Sequence, residues 1–220
     1  MKNSYTEENY LKAIYKLQEK QDSEVSTNEI SKEMNTKAAS VTDMLKRLSE
    51  KSLIHYQKYQ GVSLTDAGSK VAVNIIRKHR LWETFLVNKL KFKWDEVHDI
   101  AEQMEHIESD ELIEKLNDYL GAPQYDPHGD PIPSKKGVFT NKKMEVLFDM
   151  PVGFVGNISG VSEHSATFLK HLEKIGLGLG ALVSVEDKNE YDNSFWIRIE
   201  KNEPLFISKE VAKNLLVFNK

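Results

Sequence analysis

Cysteine is absent from the 220-residue chain, which excludes disulfides and any metal site built on thiolate. A metal held by this protein must therefore take nitrogen and oxygen ligands. Long apolar runs are absent too. None approaches the ~18 residues needed to span a bilayer, and the opening MKNSYTEENY has no signal-peptide hydrophobic region. The expectation is a cytoplasmic protein with no membrane partner. Proline is scarce, and four of the six fall in one stretch, APQYDPHGDPIPSKKG. That stretch cannot be regular helix and reads as a rigid connector.

Net charge is −4, which taken alone argues weakly against nucleic acid. Its distribution argues otherwise. Residues 1–80 carry 14 Lys/Arg against 10 Asp/Glu, residues 81–150 carry 8 against 15, and within 36–80 the count is 9 against 3. A basic surface is followed by an acidic one.

The basic part reads as three helices and a hairpin. TEENYLKAIYKLQEK places Tyr10, Ile14 and Leu17 on one face, with Thr6 as expected N-cap. STNEISKEM is a short helix capped by Ser26 or Thr27 and ended by Asn35. KAASVTDMLKRLSEKSLI spaces Val41, Leu45 and Leu48 helically. LIHYQKYQGVSLT then alternates, with Gln60 and Gly61 at a turn. This order is the winged helix-turn-helix pattern. The third helix would enter the major groove by its first turn. There Ala38 and Ala39 admit close approach and thymine methyls, and Ser40 and Thr42 reach bases or phosphate. Lys37, Lys46, Arg47 and Lys58 would hold phosphates. Asp43 is out of place beside phosphate unless it points away. The bland alternative is a helical core with a solvated charged face; turn, basic balance and wing argue together for DNA.

Residues 72–122 read as further helices, including WDEVHDIAEQMEHI and a last one capped by Ser109. They carry more apolar surface than a short bundle buries, so a two-fold homodimer is expected, matching a palindromic operator. The last third alternates strands (VGFVGNISGV, ALVSVED, SFWIRIE, PLFIS) with one helix, EHSATFLKHLEKIG. It fits a small SH3-like β-barrel and shows no phosphate-binding glycine loop or nucleophile motif. The fold class is mainly α with α+β parts. The expected domains are a winged helix over 1–71, a helical dimerisation and metal-binding domain with the connector over 72–144, and the small barrel over 145–220.

The stretch HDIAEQMEHIESDE gathers His98, Glu102, Glu105 and His106, which offsets of four and three stack on one helical face. Two carboxylates and two imidazoles there need a cation, Lys/Arg partners or water. His79 and Glu83 form a further i, i+4 pair. If the helices pack, His79, Glu83 and His98 make one metal site, and Glu102, Glu105 and His106 a second. Each residue alone reads as ordinary surface or helix-edge packing; their convergence favours metal. Hard ligands suit Mn²⁺ or Fe²⁺, although affinity order favours Zn²⁺. His128, in the connector, has a metal-ligand alternative but reads better as a turn residue.

With TEENYLKAIY, ASVTDMLKRL, KYQGVSLTDAG, RKHRLWE, VHDIAEQMEHIESDE and DPHGDPIP in this order, the chain resembles the diphtheria-toxin-repressor family of metal-dependent transcriptional repressors, its manganese-responsive branch in particular. The tail is similar to that family's SH3-like (FeoA-like) domain. The resemblance implies a repressor, not an enzyme, whose homodimer binds a pseudo-palindromic double-stranded DNA operator of metal-homeostasis genes when loaded with Mn²⁺ (alternatively Fe²⁺), with no organic cofactor. It implies a primary site at Glu102, Glu105 and His106 and an ancillary one at His79, Glu83 and His98. A ligand also comes from Asn9, where manganese members have aspartate and iron members methionine, or from Glu8. Third-domain ligands fall near Glu163 and His164. Glu102 replaces the cysteine of iron-responsive members, which points to manganese. Two rivals remain on the sequence. One is a dimetal enzyme, although the doubled Glu-x-x-His of helical di-iron enzymes fails at Gln103. The other is a winged-helix regulator of an organic ligand.

Overall fold

The structure is a computed structural model that describes residues 3–21, 24–57, 61–140 and 143–219. By internal contacts the chain forms two units. One comprises Met1–His79, Met104–Ser109 and Pro133–Phe139, the other Arg80–Gln103, Asp110–Ile132 and Thr140–Lys220.

The first unit contains α1 (Tyr5–Gln21), α2 (Thr27–Glu33), α3 (Ala38–Glu50), β1 (Ile54–Gln57), β2 (Gly61–Leu64) and the first turns of α4 (Asp66–Asn88). The cap of α1 is Ser4 rather than the expected Thr6. Ser4 Oγ accepts from Glu7 N at 3.3 Å and Glu7 Oε2 accepts from Ser4 N at 2.7 Å, a reciprocal box that satisfies two otherwise orphaned groups. Ser26 and Glu29 form the same box on α2. Asn35, at φ 45°, takes the left-handed turn that ends it.

Val41, Leu45 and Leu48 of α3 are fully buried against Leu11 and Ile14 of α1, Ile30 of α2 and Val62 of the hairpin. Truncating Leu45 to alanine would cost about 2–5 kcal/mol. β1 and β2 pair antiparallel from Ile54↔Leu64 to Gln57↔Gly61, and Val25 bridges Val62. Lys58 and Gln60, assigned to the wing from sequence, lie outside the described residues.

The second unit holds the rest of α4, α5 (His98–Met104), α6 (Asp110–Tyr119), β3 (Glu145–Val146), β4 (Val155–Val161), α7 (Ala166–Lys174), β5 (Leu182–Lys188), β6 (Phe195–Ile199), β7 (Leu205–Ile207), α8 (Lys209–Lys213) and β8 (Leu215–Asn219). The strands form an antiparallel sheet in the order β3-β8-β4-β5-β6-β7, with irregular register at Ile158/Gly160 and Val185/Asp187. Such bulges raise local twist and curve a sheet. Its core joins Ile158, Val183, Phe195 and Val217 to Leu169 and Leu172 of α7. β3, α8 and β8 go beyond the elements expected from the sequence, and β8 lies between β3 and β4.

A further correction concerns α5. The expected helix through His106 begins only at His98 and stops at Met104. Lys93 to Glu96 is a turn, closed by Glu96 N donating to Lys93 O at 3.1 Å. Ile107 N bonds Met104 O in another turn, so Glu105 and His106 sit beyond the helix and do not continue its face. Among the described residues no helix is long and apolar enough to cross a membrane.

Candidate metal and nucleic-acid sites

In the first unit, Glu105 is fully buried and its two oxygens serve different partners. Oε1 accepts from Lys12 Nζ at 2.5 Å, and Oε2 lies 2.6 Å from His79 Nδ1. His106, 6% exposed, sets Nδ1 2.6 Å from Glu8 Oε2 and Nε2 3.7 Å from Glu105 Oε1, while the Tyr5 ring stacks on it at 4.7 Å. Lys78 Nζ donates to Ile107 O at 2.9 Å and ties this segment to α4. Asn9 Oδ1, one residue from Glu8, is buried and meets no hydrogen-bond donor among the described residues. A buried acceptor left this way costs about 1–3 kcal/mol, and it is also an oxygen suited to a hard cation. Of the alternatives drawn from sequence, Glu8 is the one that touches His106. No local pattern marks Lys12 as a partner of Glu105, which lies 93 positions along the chain.

In the second unit, Glu83 is buried, with Oε1 3.7 Å from His98 Nδ1 and Oε2 3.6 Å from His128 Nδ1. His98 Nε2 lies 3.7 Å from Glu102 Oε1. Glu83, Asp126 and His128, all buried, each bring a ligand atom within 4.8 Å of the others. His128 Nε2 donates to the Trp94 carbonyl at 2.8 Å, which turns Nδ1 toward the Glu83 carboxylate.

Asp126 Oδ1 accepts from the backbone of His128 (2.8 Å) and Asp130 (3.0 Å), and Arg80 Nη2 holds Asp130 at 3.1 Å. Gly129 is required in this turn. Its φ is +90°, and a Cβ there would come within 2.2 Å of Ser159 O. His128 is thus a turn residue, as expected, and also part of a buried cluster, which turn chemistry did not reveal. The ring of His164 lies 5.2 Å from that of His128, and Glu163 accepts from Ser165 N at 2.8 Å.

The electrostatics of this cluster suit a cation. Burial drives the Asp126 carboxyl up, and the neighbouring Asp130 and Glu83 charges add to this, to about 7. Burial alone would lower His128, but the Glu83 carboxylate beside it and the Asp126 charge override burial and raise it to about 9. Buried Glu83 and Asp126, with half-buried Asp130 beside them, share one imidazole and the Arg80 guanidinium as their cationic partners. The donors are oxygen and nitrogen throughout, as a hard or borderline divalent ion requires.

At the start of α3, Lys37, Ala38, Ala39 and Ser40 are exposed, as are Lys46 and Arg47. Lys37 is the N-cap residue, in extended conformation. Thr42 is half-buried and its hydroxyl donates to Ala38 O at 3.0 Å. Asp43 pairs with Lys46 at 3.4 Å, which offsets part of its charge. Exchanging Lys37 for alanine should weaken binding to all DNA sequences alike and lower the salt slope by roughly 1. An unchanged slope in a salt titration would place Lys37 outside the interface.

Three family descriptions match the chain: the iron-dependent repressor N-terminal DNA-binding domain over residues 3–62, the iron-dependent repressor metal-binding and dimerisation domain over 65–134, and the FeoA domain over 146–218. A solved structure described as a manganese-dependent transcriptional repressor in complex with manganese is 32% identical, covers 97% of this chain and 100% of its own, and superposes with a TM-score of 0.86. The manganese regulator SloR is 31% identical, with coverage of 97% and 98% and a TM-score of 0.75.

The iron-dependent repressor IdeR of Mycobacterium bovis is 31% identical over 128 residues, 58% of this chain and 55% of that protein. A Chlamydia trachomatis protein described as a probable metal transport system membrane protein shares 46% identity over 88 residues, 40% of this chain. The chain spans only 19% of that protein's length. With these matches running in order along two units that carry the winged helix and the buried carboxylate–imidazole clusters, the chain belongs to the iron-dependent repressor family, whose members are metal-dependent, DNA-binding transcriptional repressors and not enzymes.

Proposed function

We propose that this protein is a manganese-responsive repressor, with Fe²⁺ as the alternative metal, acting in the cytoplasm as a homodimer on a pseudo-palindromic operator of metal-homeostasis genes. The observation that carries this reading is the contact of Glu8, on the first helix of the winged domain, with His106, beside Glu105 and His79. A divalent ion supplies a positive centre for these ligands. Ligands would come from Glu8, Asn9, His79, Glu105 and His106 of the first unit and from Glu83, His98, Glu102, Asp126 and His128 of the second, with Glu163 and His164 nearby.

Within the first unit, ligation would hold α1 against the 104–109 segment and so fix the attitude of the recognition helix. Metal and DNA then favour one conformer, and their coupling is reciprocal. The similarity to a manganese-bound repressor over nearly the full length supports the metal choice. Glu102 supports it too, as a hard oxygen where iron-responsive members have cysteine. Exposed Leu90, Phe92, Leu112 and Tyr119 of the second unit offer apolar surface for the dimer. The winged domain is assigned to 1–71, the dimerisation domain to 72–144 and the FeoA-like domain to 145–220.

The test is operator affinity against free Mn²⁺, Fe²⁺ and Zn²⁺, combined with a footprint. Mn²⁺ should activate at least as well as Fe²⁺, over two symmetric half-sites. Zn²⁺ should bind yet activate poorly, because it favours four ligands. Binding indifferent to all three metals would refute the proposal.

A further inference from the structure

The second unit has a cavity of about 540 Å³ that opens beside the Glu83–Asp126–His128 cluster. Three of its wall residues touch cluster residues. The Trp94 carbonyl accepts from His128, His98 lies 3.7 Å from Glu83, and the His164 ring lies 5.2 Å from that of His128. Among the charged residues of the remaining wall four are acidic, Asp95, Glu96, Asp99 and Glu163, against the one cation Lys170, and Ser165, Ala166 and Leu169 complete it.

Asp95 stands apart within this wall. Its side chain is 0% exposed, and neither carboxylate oxygen has a hydrogen-bond partner among the described residues. The Lys170 ammonium, on a side chain 66% exposed, lies 3.6 Å away. A carboxylate taken out of water without donors carries a large desolvation cost and attracts any cation that enters. Among the described residues its oxygens do not converge with two further ligand groups, so it is not placed as a terminal ligand.

We propose that this cavity is the route by which a divalent cation reaches the Glu83–Asp126–His128 cluster, and that Asp95 is the capture carboxylate on it, with Lys170 as its displaceable counter-ion. The inference rests on the metal reading of that cluster. A cleft lined by charge of one sign raises the local concentration of the opposite ion. Asp95 then lowers the barrier for entry and exit alike, and Lys170, which swings free into solvent, holds the position until the ion arrives.

The experiment is stopped-flow tryptophan fluorescence of the full chain mixed with Mn²⁺, followed by release into EDTA. Trp94, whose ring stacks on that of His128 at 6.1 Å, reports arrival by quenching. Asp95→Asn should slow both association and release by about tenfold, with their ratio moving less than either rate. Lys170→Gln should speed association. A thermal melt of Asp95→Asn should show little loss of stability, since the buried carboxylate meets no hydrogen-bond donor among the described residues and its ion pair is with a largely exposed Lys170. Quenching with rates equal to wild type in both variants would overturn the route. A weaker affinity caused by faster release alone would also overturn it, by making Asp95 an ordinary ligand. Absence of quenching in the wild type would instead refute the metal assignment of the cluster itself.

Discussion

Replacing His106 with alanine should abolish the metal response of operator binding while the protein stays folded. His106 lies between Glu8 and Glu105 and under the Tyr5 ring, so it is the nitrogen through which a metal would join α1 to the 104–109 segment. Coupling energies of this kind are typically about 1–3 kcal/mol, so metal should no longer improve DNA affinity by the expected 5- to 150-fold. His106 is a cleaner probe than Glu105. Removing the Glu105 carboxylate strands the buried Lys12 ammonium beside it, and breaking such a pair costs about 3–5 kcal/mol. Glu8, with 16% of its side chain exposed, can turn to water when His106 is lost. Operator affinity against free Mn²⁺, with a thermal melt of both proteins, decides the matter. A His106→Ala variant that answers Mn²⁺ with normal affinity would show that this segment is not the sensor.

Metal binding at the Glu83–Asp126–His128 cluster should expel protons and strengthen steeply with pH. In the metal-free protein His128 stands at about 9 and is protonated at neutral pH, while Asp126 stands at about 7 and is partly so. A cation must displace these protons, and affinity should rise by about tenfold per pH unit for each proton released, between roughly pH 6 and 9.

The sign for the metal-free fold is opposite. Both folded values lie above the ordinary ones of 6.5 and 3.8. Each contribution is therefore fully present below the ordinary value and lost as pH rises through the folded value. Melting temperature should fall with pH without metal and rise with pH at fixed Mn²⁺. Calorimetry in two buffers of different ionisation heat counts the protons, and His128→Gln should reduce the count. Equal heats in both buffers would refute proton displacement.

Much of the first unit was legible in the sequence because its signals are local. The Ser26–Glu29 box, the spacing of Val41, Leu45 and Leu48, and the alternation of the hairpin each act within a few residues. The ligand residue types were legible for the same reason, since absent cysteine and clustered carboxylates and imidazoles define the chemistry before any fold is known. The resemblance of the quoted segments supplied the family.

Tertiary structure alone decided which groups meet. Periodicity carried the helix from His98 to His106, but it stops at Met104, and the next two residues are claimed by partners 93 and 98 positions away, Lys12 for Glu105 and Glu8 for His106. His128 read as a turn residue because turn chemistry is local, whereas its pairing with Glu83 depends on how the 126–130 turn packs. β8 escaped notice because its partners, β3 and β4, lie far along the chain. The physical reason is common to these cases. Propensity and periodicity are set by neighbours within a turn or two, while ion pairing and burial are set by desolvation and packing, which act between segments that only the folded chain brings together.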